Sequence, residues 1–319
     1  MLYLRLAILI AISLFMMPRS GSAQSETPWT VPVVIARTEG ELSASTLVPD
    51  DFGRLHLFYP DQPDKQGTGA INYMQWDGAT WSQPVDVIVD PEAAMPGSIR
   101  AAIDARQTVH LVWHGGNNTL RYASAPVAEV SSARAWSTPE TIATAFGTHD
   151  VLTSPNGSLY VAYSTWPETG SISIMRSDDG GATWGAPVMA ASAAPETTPH
   201  EIRLAGDSRG RHHLAWTAYQ LPDGWPAVGA FYAQSADGGD TWSPAQQMAT
   251  SYHGQIGVGT VGDDEVHLVW SSNVGGDGTF HQRSTDGGST WPQQDREDNG
   301  GGSLDSLLLA LTLLDTCIM

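Results

Sequence analysis

The sequence predicts an all-β fold of tandem four-stranded units, on three observations. The first is a turn, RSDDGGATW at 176–184, that returns as QSADGGDTW at 234–242 and RSTDGGSTW at 283–291, and in degraded form as QWDGATW at 75–81. The second is a strand-like segment in each unit: GRLHLFY ending at Tyr59, TVHLVW at Trp113, SLYVAY at Tyr163, RHHLAW at Trp216 and EVHLVW at Trp270. The third is the spacing of the closing tryptophans, Trp81, Trp136, Trp184, Trp242 and Trp291, which lie 55, 48, 58 and 49 residues apart, the length of a propeller blade. Almost nothing has helical periodicity before residue 303, so the units read as five recognisable blades of a β-propeller.

Taken in order, the chain opens on Arg5, an apolar run from Leu6 to Met17, and the small residues Gly21, Ser22 and Ala23. That layout marks residues 1–23 as a signal peptide cut after Ala23, because the run is short for a membrane span of about 20 residues. The expectation is a secreted, periplasmic or cell-surface protein with no membrane contact once the peptide is removed. The single cysteine, Cys317, lies near the C terminus, so the fold must hold without disulfides.

Residues 24–295 then carry the propeller. PWTVPVVIA at 28–36 matches a fourth strand, since Trp29 and Pro32 are spaced like Trp81 and Pro84 or Trp184 and Pro187. In the fourth unit the expected strands are EIRLAGD (201–207), RHHLAWTAY (211–219), GAFYAQS (229–235) and SPAQQMAT (243–250). After Trp291 the pattern stops. Residues 296–319 form an irregular or helical tail whose change of composition also fits a truncated or frameshifted reading frame. Two closures follow. Either the strand at Trp29 completes the last blade of a five-bladed ring, or a six-bladed propeller lacks most of one blade; pairing of 30–35 with 279–284 separates them.

The chain has 319 residues, 41% of them hydrophobic, and a formal charge of −19 with Lys65 its one lysine. That excludes the basic footprint of a nucleic-acid binder. No cofactor is expected, and the protein reads as a monomer.

The pattern S-x-D-x-G-x-T-W, at Ser177–Trp184, Ser235–Trp242 and Ser284–Trp291, resembles the Asp-box of the bacterial neuraminidase repeat (BNR). The chain is thereby similar to the sialidase/neuraminidase superfamily over roughly residues 29–292. The resemblance implies a propeller whose boxes lie at the rim, away from any active site. Physical chemistry agrees: paired glycines accept positive φ, the Asp accepts turn N–H groups, and the Trp packs on the neighbouring sheet. Asp179, Trp184, Asp237, Trp242, Asp286 and Trp291 are therefore read as structural.

In a propeller the turns joining strands three and four share one face, so a site belongs on the other, at the starts of the first strands. The segments GSIRA (97–101), GTHDV (147–151), PHEIR (199–203) and YHGQI (252–256) bring Arg100, His149, Asp150, His200, Glu201, Arg203, Tyr252 and His253 there. Loops between strands two and three add Asp61, Asp64, Asn117, Asn118, Trp166, Glu168 and Trp225. Acids, arginines and aromatics suit a glycan or glycoconjugate, although solvated loops share that composition. His149, His200 and His253 raise an open zinc position, but the usual short ligand spacings are missing and no metal is assigned. His56, His110, His213 and His267 recur within strand two and are read as structural.

Sialidases hold the substrate carboxylate with an arginine triad and use a tyrosine nucleophile, a glutamate and an aspartic acid. The resemblance implies Glu201 as the glutamate, Arg203 and Arg100 as arginines, Asp61 or Asp64 as acid/base and Tyr252 as nucleophile. Two departures count against it: ELSASTLVPDD (41–51) has no arginine, and the blade that normally supplies the tyrosine is missing. The expectation is an exported sialidase-like propeller that recognises a glycan at the channel mouth without catalysis. The alternatives are an active exo-α-sialidase glycoside hydrolase and a protein-interaction propeller.

Overall fold

Short alternating strands joined by glycine-rich turns give five antiparallel sheets in succession along the chain. The computed structural model describes residues 32–37, 41–42, 45–62, 69–90, 97–144, 147–165, 170–192, 196–221, 227–250, 255–272 and 278–292. The chain divides into two units, Met1–Ile35 and Ala36–Met319. Of the first, only residues 32–35 are described, exposed and outside any strand. The expected signal peptide, residues 28–31 of the expected strand PWTVPVVIA and the tail 296–319 lie outside the described residues; residues 32–36 of that segment are described and form no strand, against expectation.

Sheet I holds β1 (Glu41–Leu42), β2 (Thr46–Pro49), β3 (Leu55–Gln62), β4 (Ala70–Trp76) and β5 (Val85–Val89). Sheet II holds β6 (Gly97–Ile103), β7 (Thr108–His114), β8 (Thr119–Pro126) and β9 (Glu140–Thr144). Sheet III holds β10 (His149–Thr153), β11 (Leu159–Thr165), β12 (Ser171–Ser177) and β13 (Val188–Ser192). Sheet IV holds β14 (Thr197–Gly206), β15 (His212–Gln220), β16 (Ala227–Ser235) and β17 (Gln246–Ala249). Among the described residues sheet V has three strands, β18 (Ile256–Val261), β19 (Glu265–Ser272) and β20 (Gly278–Ser284). The arrangement is all-β and consistent with a propeller-type fold. The fourth unit matches expectation closely, except that its first strand begins at Thr197, four residues early.

Alternation along the second strands sends successive side chains to opposite faces, so each sheet serves two cores. Leu111 joins Phe58, Ile71 and Trp113 between sheets I and II, while its neighbour Val112 joins Val161 and Met175 between II and III. Ala162 and Leu214 meet between III and IV, and Ala215 and Leu268 between IV and V. The first strands β2, β6, β10, β14 and β18 are spatial neighbours in that order. Second strands are buried on both faces, whereas β5 and β13 are largely exposed, which puts the fourth strands outermost.

The recurring histidines are part of this packing. His56, His110 and His213 are fully buried. Nδ1 of each hydrogen-bonds a tyrosine hydroxyl: Tyr73 at 2.8 Å, Tyr122 at 2.8 Å and Tyr232 at 2.7 Å. Nε2 of each faces Oδ2 of Asp50, Asp104 or Asp207, at 3.2, 3.4 and 3.4 Å. Burial opposes ionisation of Asp207, but hydrogen bonds from His213 and Arg211 hold it down at about 2. Tyr122 and Tyr232 cover the S-x-D-x-G-x-T-W turn of the following sheet: the Tyr122 hydroxyl lies 3.1 Å from the Gly180 carbonyl, and Trp184 and Trp291 pack edge-on against the two rings at 5.2 and 5.0 Å.

Those turns are closed from within. Asp179 Oδ1 accepts the Thr183 N–H (2.8 Å) and the Ser177 hydroxyl (2.8 Å), and Oδ2 accepts the Thr183 hydroxyl (2.6 Å). Asp237 and Asp286 repeat the pattern with Thr241 and Ser235, and with Thr290 and Ser284. Hydrogen bonds led by the threonine hydroxyl hold each carboxyl at about 2.

Candidate functional site

Two matching bulges shape the starts of the first strands. In β6 the register slips between Gly97 and Arg100, so Ser98 and Ile99 face one residue; in β14 Glu201 and Ile202 do the same. The bulged residues Ser98 and Glu201 have φ of 29° and 46°, a conformation that side chains resist and that bulges beside functional sites often hold. Beyond the slip, Arg100 pairs with Val112 and Arg203 with Ala215, the level that Asp150 reaches against Ala162 without any bulge. Arg100, Asp150 and Arg203 thus occupy one register position on three neighbouring first strands. The same position is Thr46 in sheet I and Gly257 in sheet V.

The result is a row of alternating charge. Arg100 Nε lies 3.8 Å from Asp150 Oδ1, and Arg203 donates to Glu201 Oε2 at 3.0 Å. Asp150 is also committed to backbone: its Oδ2 accepts the Leu204 N–H (2.8 Å) and its Oδ1 the Val151 N–H (3.0 Å). Thr148 Oγ1, just before β10, accepts the Ile202 N–H (2.8 Å), so Thr148 and Asp150 together satisfy N–H groups on the free edge of β14. Burial pushes the Asp150 carboxyl up, against the pull of Arg203 and Arg100. Burial likewise lowers the Arg100 pKa, with Asp150 opposing. The Arg100, Asp150, Arg203 and Glu201 side chains keep 19%, 13%, 22% and 22% of their surface exposed.

Two expected members stand elsewhere. His149 does not line the mouth: alternation turns it away from Asp150 into the interior, where its Nε2 lies 3.2 Å from the Val112 carbonyl oxygen. Burial, reinforced by the Arg100 charge, pulls its pKa down to about 3, so the ring is neutral. His200 is half exposed and packs edge-on against Tyr219 at 4.9 Å, its Nδ1 4.0 Å from Glu201 Oε1. Among the described residues no three His, Cys, Asp or Glu side chains gather as a metal site. Asp61 lies on β3 opposite Ala70 and accepts from Asn72 Nδ2 at 3.5 Å. Asn117 and Asn118 sit in a 3-10 turn with φ of 56° and 57°. Asp64, Trp166, Glu168, Trp225, Tyr252 and His253 lie outside the described residues.

Sequence reasoning missed one polar group at this end of sheet II. Fully buried Asp90 accepts Trp113 Nε1 (3.1 Å) and lies 3.6 Å from Arg121 Nε. Asp90 follows a fourth strand, where the other repeats offer no acid to align with it, so the sequence carried no signal.

Fold and site together define an all-β chain of repeated antiparallel sheets with alternating charge at the start of its first strands. No protein-family model matches the chain, and no curated protein matches it in sequence. Solved structures resemble it in fold. A protein of unknown function from Dyadobacter fermentans has a TM-score of 0.62 at 16% identity, covering 82% of this chain and 84% of that one. The Hadza microbial sialidase Hz136 has a TM-score of 0.51 at 18% identity, over 79% of this chain and 57% of the sialidase. An ulvan lyase, a polysaccharide lyase solved bound to its sugar, has a TM-score of 0.55 at 15% identity, over 78% and 68%.

Proposed function

We propose that this protein is an exported Asp-box propeller of sialidase type, its five sheets serving as blades, that binds a glycan at the first-strand mouth without cleaving it. The observation that carries the reading is the alternating row itself. Each guanidinium already faces a carboxylate, and Asp150 is held by the backbone of β14, so the cluster offers hydroxyl-binding groups of balanced charge rather than free arginines. A carboxylate-gripping triad needs a third cation at this level, and the position holds Thr46 and Gly257 in the flanking sheets. The fold likeness to sialidases and an ulvan lyase supports a carbohydrate ligand. Convergence of Arg100, Arg203 and Glu201 is what favours the second reading, an active exo-α-sialidase.

A glycan array and a fluorogenic sialoside separate the two. Binding is expected to survive Glu201→Ala, to fall tenfold or more in Arg203→Ala and in the Trp166→Ala and Trp225→Ala variants, and to occur with no release of fluorophore. Turnover that Glu201→Gln abolishes would establish the hydrolase instead, and a bare array together with no turnover would remove both.

A further inference from the structure

The interface between sheets I and II differs from its repeats. Between sheets II and III, Tyr122 is capped by the glycine pair of the next turn so closely that a Cβ at Gly181 would collide with its hydroxyl. Gly288 caps Tyr232 between sheets IV and V in the same way. Tyr73 is the corresponding tyrosine of sheet I, sharing its hydroxyl with His56 Nδ1 (2.8 Å) and Gln75 Oε1 (3.1 Å). The turn that should cap it is replaced by a longer segment with 3-10 turns at Val127–Glu129 and Ala133–Ala135. Its closing Trp136 packs on Phe58 instead (5.9 Å). A cavity of about 240 Å³ opens in the vacated place.

Its lining is mixed in a particular way. Tyr73 forms the floor, half-buried Trp81 one wall, and Gln75, Ser82, Ser131 and Asp77 the polar rim. Trp81 is tilted against Trp76 of its own sheet at 5.8 Å. Among the described residues Gln75 Nε2 has no acceptor. Asp77 Oδ1 is occupied by the Thr80 and Ala79 N–H groups (2.8 and 2.9 Å), which hold its carboxyl below the ordinary range, and among the described residues no cation lines the cavity. We infer that this cavity is a second carbohydrate site, seating one neutral pyranose ring against Trp81 with its hydroxyls on Gln75, Ser82 and Ser131. An indole face with hydroxyl and amide groups around it matches the apolar face and polar edge of a sugar ring. The volume falls below the roughly 300–1,000 Å³ of drug-sized pockets, which limits the site to a single ring. The ionised rim and the formal charge of −19 disfavour carboxylated sugars. The site lies at the end of the strands opposite Arg100, so it stands or falls independently of the mouth.

Saturation-transfer NMR on the full chain tests it, with methyl gluco-, galacto-, manno- and xylopyranosides as probes and glucuronate and sialic acid as anionic counterparts. In an Arg203→Ala background, which disables the mouth, at least one neutral methyl pyranoside should bind, and bind tenfold or more weakly once Trp81→Ala or Ser131→Trp is added. Ser131→Trp fills the cavity from an exposed position and should melt with the wild type, so its loss of binding is not misfolding. In that background, no binding of any neutral pyranoside, binding that survives both cavity variants, or preference for the anionic sugars overturns the inference.

Discussion

Gly181 shows how one residue ties two sheets together. Its φ of +89° belongs to the left-handed region, and a Cβ there would strike the Tyr122 hydroxyl. Gly78, in the shortened turn QWDGATW, has φ of +98° but nothing within 4 Å. The pair separates backbone strain from collision. Gly78→Ala should cost about 1–2 kcal/mol, the price of the left-handed conformation alone. Gly181→Ala adds overpacking of roughly 1–3 kcal/mol and should cost about 2–5 kcal/mol in all. Chemical denaturation of both variants measures the difference; equal losses would mean that Tyr122 moves aside freely and that the turn does not anchor the interface. The sequence showed that glycine was needed at 181 for its φ. It did not show Tyr122, which comes from the preceding sheet about sixty residues earlier.

The turn as an element carries a pH signature. Asp179, Asp237 and Asp286 titrate at about 2 in the fold, held by the hydroxyl and N–H of Thr183, Thr241 and Thr290. An unfolded aspartate titrates near about 3.9. The folded values are depressed, so this stabilisation is complete above about pH 4 and is lost as pH falls towards 2. Melting temperature should therefore drop between pH 4 and 2, and a variant with all three aspartates changed to asparagine should start lower and show a flatter profile in that window. An unchanged slope in the variant would assign the acid sensitivity elsewhere, Asp207 being the next candidate. Turns and second strands were legible because each recurs with its hydrogen-bonding residues in place. The bulges at Ser98 and Glu201 were not, since GSIRA and PHEIR look like ordinary strand starts and only the pairing register reveals an extra residue. The placement of Arg100, Asp150, Glu201 and Arg203 near the starts of first strands was legible in the repeat. The commitment of Asp150 to the Leu204 N–H was hidden, because it depends on how closely β10 approaches β14.

At the scale of the molecule, the question is whether five repeats behave as five units or one. Every sheet from II to IV contributes its two faces to two different cores, so none can leave without uncovering both neighbours. An open array of such repeats unfolds from its ends, because stability is a sum of nearest-neighbour terms. A ring has no ends to fray. Leu111, between sheets I and II, and Leu268, between IV and V, are both fully buried and lie in cores near opposite ends of the described chain. Truncating either to alanine should cost about 2–5 kcal/mol. If the sheets act as one body, each variant shifts a single transition, with far-UV circular dichroism and tryptophan fluorescence coincident. In an open array, Leu268→Ala would instead split the curve, melting sheet V before the rest while Leu111→Ala loosened sheets I and II. Coincident curves in both variants would support closure of the propeller, and a split in either would make the protein a linear stack of sheets.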